Sequence, residues 1–192
     1  MKPGVPLALG ALLLLSALLV FLSATWEWWV MEVHDMVTGR WSWLRIYAYG
    51  LVHNMSELRQ YVARHETPPS LMAAAKVFTY SLVALLVISA LLLFMGKTGA
   101  WKLSLLVGAI YLLYSLAFIP VLEEGTRTAP RPVPLQGEKI EYMYEYTVKI
   151  VTYFAPGYYL AVAGSLLVIV TSLLAAWWSR RARMGPRKEP GG

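Results

Sequence analysis

Few of this chain's polar, nucleophilic or metal-binding side chains are brought close together by the sequence. Its three histidines, His34, His53 and His65, all fall between residues 25 and 70, with Met31, Met36 and Met55 among them. Imidazole and thioether together form a soft donor set that suits Cu(I). The spacing matches no established metal site, and methionine beside aromatic residues is ordinary packing. We therefore assign no metal and no other cofactor. The absence of cysteine excludes disulfides, thiolate ligands and a thiol nucleophile. No glycine-rich phosphate loop, nucleophile elbow or metalloprotease motif occurs. Asn54-Met55-Ser56 fits a glycosylation sequon. The residues therefore point to no enzyme.

Lys76 lies within a long apolar run, and the pair Glu123 and Glu124 ends another. An ionisable residue inside a membrane is a functional candidate by default. Lys76 stands about one turn inside its run, where a lysine stem snorkels to the boundary. Glu123 or Glu124 would meet it at the same membrane edge. No run holds a central acid or a histidine, which argues against an ion-coupled transporter and against haem held between helices.

The elements that must position these residues are four apolar segments, at 5–24, 71–95, 103–122 and 150–178. Each is long enough for a bilayer core, which takes about 20 residues as helix. Ten of the eleven acids lie in the two intervening stretches, 25–70 and 123–149. Those stretches also hold four bases each, while Lys2, Lys97, Lys102, Arg180, Arg181, Arg183, Arg187 and Lys188 mark the N-terminus, the middle turn and the C-terminus. All three basic sites share one side of a four-span topology. Lysine and arginine favour the cytoplasm, so both termini are expected inside and both long loops outside, in a multi-pass cell-membrane protein. The net charge of +6 then belongs to topology and to anionic lipid contacts of the basic tail 179–192, not to nucleic acid. Lys2 and the small residues after Leu22 look like a signal peptide, but the run is too long and Leu22 fits a cleavage site poorly. The segment is expected to stay as an anchor. One membrane domain over 1–178 accounts for the length.

Tryptophans open the first loop: Trp26, Trp28 and Trp29 follow the first span directly, at the level where an aromatic belt collects. Beyond them, aromatic and β-branched residues flank Thr38-Gly39, with Trp41, Trp43 and Tyr47 on the far side, and predict a β-hairpin. Residues 57–64 predict a short helix. In the second loop Ile140, Tyr142, Tyr144, Tyr146 and Val148 alternate with Glu141, Met143, Glu145, Thr147 and Lys149. This period of two predicts one strand over 140–148, its aromatic face towards the helix ends. A lone strand is unstable, so it should join the first-loop hairpin in one small antiparallel sheet. In the fourth span, Gly157, Ala161 and Gly164 lie on one helical face and permit close backbone approach.

This layout resembles the claudin, peripheral myelin protein and fungal Sur-type tetraspan superfamily. The likeness covers most of the chain and is mainly architectural. Three stretches carry it: the tryptophans at 26–29, the short helix expected at 57–64, and Ala155-Pro156-Gly157-Tyr158-Tyr159-Leu160 followed by Gly164. The family's paired first-loop cysteines and its tryptophan–glycine–leucine–tryptophan signature are absent. The resemblance implies a four-helix bundle with an extracellular antiparallel sheet formed by both outer loops. It also implies a non-enzymatic role in which that sheet contacts other copies or cell-surface proteins. Trp26, Trp28, Trp29, Trp41, Trp43, Tyr47, Tyr142, Tyr144 and Tyr146 are the contact candidates. The alternative is an accessory subunit of a larger respiratory or transport complex, docking through the same loop. A third reading is a channel or a quinone- or metal-handling protein.

Overall fold

The computed structural model describes residues 4–55, 68–97, 99–142 and 147–183. Within them the chain forms α1 (Gly4–Thr25), β1 (Trp29–Asp35), β2 (Trp41–Tyr47), β3 (Gly50–His53), α2 (Pro69–Phe94), α3 (Ala100–Arg127), β4 (Gly137–Tyr142), β5 (Thr147–Phe154) and α4 (Pro156–Arg183). All four helices are long and apolar enough to cross a membrane. Each is apolar on most of its circumference and buries only a narrow stripe. Leu7, Leu15, Val77, Leu113 and Leu173, among others, stay exposed, as expected where the surrounding solvent is hydrocarbon.

Helix α1 packs on α2 and α4, and α3 packs on α2 and α4. Small residues set how closely the helices meet. A Cβ at Gly164 would lie 3.1 Å from Leu19, one at Gly108 would lie 2.7 Å from Val168, and one at Gly10 would lie 2.8 Å from the Phe94 ring. Ala161 is fully buried. Hydroxyls also join helices: Ser23 Oγ and Tyr111 OH are 2.8 Å apart, and Ser104 Oγ and Ser172 Oγ are 2.7 Å apart. Of the three small residues expected to pack against another span, Gly164 lies against α1, Ala161 is buried, and Gly157 instead meets the backbone of Trp26 and Glu27 between α1 and β1.

The segments between helices combine into one five-stranded antiparallel sheet, in the order β3-β2-β1-β5-β4. The hairpin at Thr38-Gly39 forms as expected. Trp29 pairs with Ile46 and His34 with Trp41, and Gly39 takes φ +68° to close the turn, a conformation that glycine adopts without penalty. Asp35 Oδ1 accepts from the backbone N–H groups of Val37 and Thr38. These bonds, led by the one from the Thr38 hydroxyl, hold the Asp35 carboxyl below its ordinary pKa.

Two expectations are corrected. The single strand over 140–148 is a hairpin, in which β4 and β5 pair from Gly137↔Thr152 to Tyr142↔Thr147. Folding back gives β5 two neighbours, β1 and β4, where one straight strand would have had fewer partners. Each pair joins an even-numbered to an odd-numbered residue, so the two arms present opposite parities to the same face. Val148 and Ile150 are buried, whereas Ile140 and Tyr142 point away from the helices and are exposed. The fourth helix accordingly starts at Pro156, not at residue 150. Thr147–Phe154 is strand because Val, Ile and aromatic residues alternate there over a buried face. Pro156 lacks an N–H and suits a first helical position. The short helix expected at 57–64, and Tyr144 and Tyr146, lie outside the described residues.

The inner face of the sheet packs with α3 in a second core. It contains Trp29, Met31, Leu44, Met55, Val148 and Ile150 from the sheet segments, with Leu122 from α3 and Val133 from the following loop.

Candidate interaction surface

Trp28 ties the sheet to the bundle. Its backbone N–H donates to Ile46 O at 2.7 Å, its carbonyl accepts from Ala155 N at 2.9 Å, and its indole N–H donates to Ser23 O at 2.8 Å. The ring meets Phe118 edge-on at 5.2 Å and also contacts Tyr111, Tyr114 and Tyr158. One side chain thus touches α1, α3 and α4 at once. Beside it, Gly157 N donates to Glu27 O at 2.9 Å. A Cβ on Gly157 would sit 2.5 Å from that same oxygen, so the approach of α4 to the α1–β1 link requires glycine. Tyr114 OH donates to Ala48 O and holds the β2–β3 turn to α3. Trp29 Nε1 donates to Leu135 O at 2.7 Å and so pins the loop before β4.

These positions decide which predicted contact residues are available to a partner. Trp28 and Trp29 are almost fully buried. They are packing residues and not free contact surface, because the chain turns into the sheet at once and both rings enter the apolar cores. Trp26 stays exposed. On the face turned away from the helices, Trp41 is exposed and stacks on His34 at 5.4 Å, and the Arg45 guanidinium lies 4.7 Å from the Trp43 ring. Arg45 also pairs with Glu27 at 2.9 Å, and Tyr47 OH donates to the same carboxylate. Tyr153 OH donates to Glu32 at 3.0 Å; burial, then that bond to a carboxylate, raises its pKa. Lys149 pairs with Glu138 at 2.9 Å. Most charges on this face are therefore neutralised in place. What stands free on it is aromatic and aliphatic: Trp41, Val52, Ile140 and Tyr142, the last 82% exposed.

Lys76 is exposed and lies 4.4 Å from the Tyr49 ring centre, a cation–π contact of about 0.5–1 kcal/mol at such a site. Tyr49 in turn stacks on Tyr47 at 5.3 Å. Lys76 thus reaches towards the sheet. Glu123 and Glu124 are exposed on the last turns of α3, and Glu124 pairs with Arg127 at 2.7 Å. Asn54 is exposed and its Oδ1 accepts from Trp43 N at 2.6 Å.

Among the described residues, His34 and Met36 lie apart from Met31 and Met55. Met31 and Met55 sit in the apolar core under the sheet, His34 is on the opposite face, and Met36 is exposed in the turn. Among the described residues no three His, Asp or Glu side chains form a metal-sized group. Between β1, β2 and the end of α3 lies an apolar cleft of about 190 Å³, bordered by Trp29, Met31, Leu44, Ile46, Phe118 and Leu122.

Sequence reasoning missed Gly10 and Gly108 as helix contacts, strand β3, and the burial of Trp28. A signal for the last was present: a tryptophan immediately before strand β1, with the tyrosine pair Tyr111 and Tyr114 on another span. Comparison with known protein families finds no match, and comparison with curated proteins finds none.

Proposed function

We propose that this chain is a non-enzymatic, claudin-like membrane protein whose sheet, on the outer side of the cell membrane, associates with other copies or with surface proteins. One observation carries the proposal. The two segments between helices build a single sheet rigidly keyed to the bundle by Trp28. That sheet leaves Trp41, Val52, Ile140 and Tyr142 uncovered on the face opposite the helices. Exposed aromatic side chains over a rigid base are what protein contacts favour, since such side chains bury large area with few rotamers to freeze. The basic residues at the opposite helix ends support a cytoplasmic location for the termini.

Purification in mild detergent, followed by mass measurement of the intact particle, tests this. Homo-oligomers, or complexes with a surface protein lost on Trp41→Ser and Tyr142→Ser, support the reading. A fixed set of co-purifying catalytic or transport subunits would support the accessory-subunit alternative. A bound chromophore or metal would favour the third.

A further inference from the structure

Among the described residues the sheet ends at β4, which there has a neighbour on one side only. We propose that β4 is a self-recognition edge: two copies in one membrane join β4 to β4, antiparallel about a two-fold axis through Ile140, to make one continuous sheet. This rests on the self-association reading above and specifies its geometry.

Four observations lead to that register. First, an edge strand carries a row of unpaired backbone groups that template another strand. Second, residues directly opposite in an antiparallel pair share a face. If both helix bundles are to lie on the same side of the joined sheet, as one membrane demands, each residue must face one of its own parity. The axis must then pass through a residue, not between two. Third, charge eliminates the centres at Glu138, Lys139 and Glu141, and a centre at Gly137 or Tyr142, the two ends of the strand, would leave most of β4 unpaired. An axis through Glu138 or Glu141 sets that carboxylate against its own copy, and an axis through Lys139 sets lysine against lysine; like charges opposite one another are unfavourable. An axis through Ile140 instead places Lys139 opposite Glu141 twice, on the face towards the helices. Fourth, the same centre puts Ile140 against Ile140 on the other face, with Tyr142 of each copy beside them. Those two side chains are 53% and 82% exposed in the single chain.

Lys139 and Glu141 are already 2.6 Å apart within the strand, and Arg131 lies 3.7 Å from the same carboxylate. Joining two copies would link these pairs into one alternating network without leaving any charge unmatched. Charged residues on an edge usually discourage pairing; here they forbid the wrong registers and permit one.

The cysteine-free chain makes a direct test simple. Ile140→Cys in nanodiscs or mild detergent should give a disulfide-linked dimer under mild oxidation, since directly opposed residues are within bridging reach. Glu138→Cys mixed with Tyr142→Cys should cross-link to each other far more than either does to itself. Lys139→Glu alone and Glu141→Lys alone should lose the dimer, and the two variants mixed should regain it as a heterodimer. Each variant breaks its own internal ion pair, so recovery on mixing cannot come from restored folding. If the protein self-associates while Ile140→Cys fails to cross-link, or the mixed charge variants stay apart, the β4 register is wrong and self-association through another surface stands. If the protein is monomeric throughout, both readings fall.

Discussion

At the scale of single residues, the contrast between tryptophans is the sharpest consequence of the fold. Trp28 contacts four aromatic rings and donates or accepts three hydrogen bonds, whereas Trp41 is more than half exposed. Trp28→Ala should therefore cost about 3–5 kcal/mol, as for a large aromatic removed from a core. Trp41→Ala should stay within about 0.5 kcal/mol, as at a surface site. Unfolding of detergent-solubilised protein followed by circular dichroism would check both; equal losses would mean that Trp28 is not the tie between sheet and helices. Gly157 makes a second case. Any side chain there meets the Glu27 carbonyl oxygen at 2.5 Å, and that neighbour is backbone. Gly157→Val should separate the start of α4 from the α1–β1 link and lower the unfolding temperature by more than Gly4→Val, where an added Cβ meets nothing. Lys76→Met should change stability by no more than about 1 kcal/mol, because it removes one exposed cation–π contact. A larger loss in the same assay would show that the ammonium has a buried partner.

At the scale of elements, local chemistry and long-range pairing separate. The first hairpin was legible in the sequence because Asp35, Thr38 and Gly39 make a turn from their own side chains and backbone, independent of the rest. Its acid response follows from the same bonds. The Asp35 carboxyl is held below its ordinary value by hydrogen bonds to the charged form, first from Thr38. Its stabilising contribution is present above about pH 3.9, the unfolded value, and is lost as pH falls through the lower folded value. Amide exchange at Val37 and Thr38 should accelerate in that acid range and not in Asp35→Ala, which should exchange fast throughout. A pH-independent rate in the parent would remove Asp35 as the turn's acceptor. The second hairpin was not legible in full. Alternation over 140–148 is the same whether the chain runs straight or folds back between Tyr142 and Thr147, because a period of two records faces, not partners. What settles it is the demand of β1 for a second neighbour, satisfied by Thr147–Phe154. That demand also explains the start of the fourth helix. Hydropathy alone extends the span to residue 150, since a buried β-strand and a membrane helix are equally apolar. Pro156 is the local mark of the change.

At the scale of the whole molecule, the distribution of charge follows the architecture. The sheet and the helix ends next to it hold Glu27, Glu32, Asp35, Glu123, Glu124, Glu138 and Glu141, interspersed with Arg40, Arg45, Arg127, Arg131, Lys139 and Lys149. The opposite ends hold Lys97, Lys102, Arg180, Arg181 and Arg183, without a described acid. This polarity was readable from the sequence, because it needs only the order of spans and loops. The joining of both loops into one sheet was inferable only as a need for partners. A basic end facing the cytoplasm and an aromatic end of balanced charge facing outwards is the arrangement that the positive-inside rule favours. The orientation can be tested with single cysteines in the cysteine-free background. Val37 is 65% exposed in the first turn, and Thr128 is exposed just after α3; Val37→Cys and Thr128→Cys should react with an impermeant maleimide added to intact cells. Lys97 and Arg181 are exposed at the other end, and Lys97→Cys and Arg181→Cys should react only after permeabilisation. Each of these two variants removes one of several basic residues at that end, so the charge bias that sets the topology survives. Arg181 is preferable to Ser179 for this purpose, because Ser179 is buried against the bundle and would label slowly from either side. Labelling of all four sites from outside would break the four-span topology. Labelling of the pairs in the reversed sense would keep the bundle but place the sheet in the cytoplasm, and with it would go the proposal that the sheet meets partners at the cell surface.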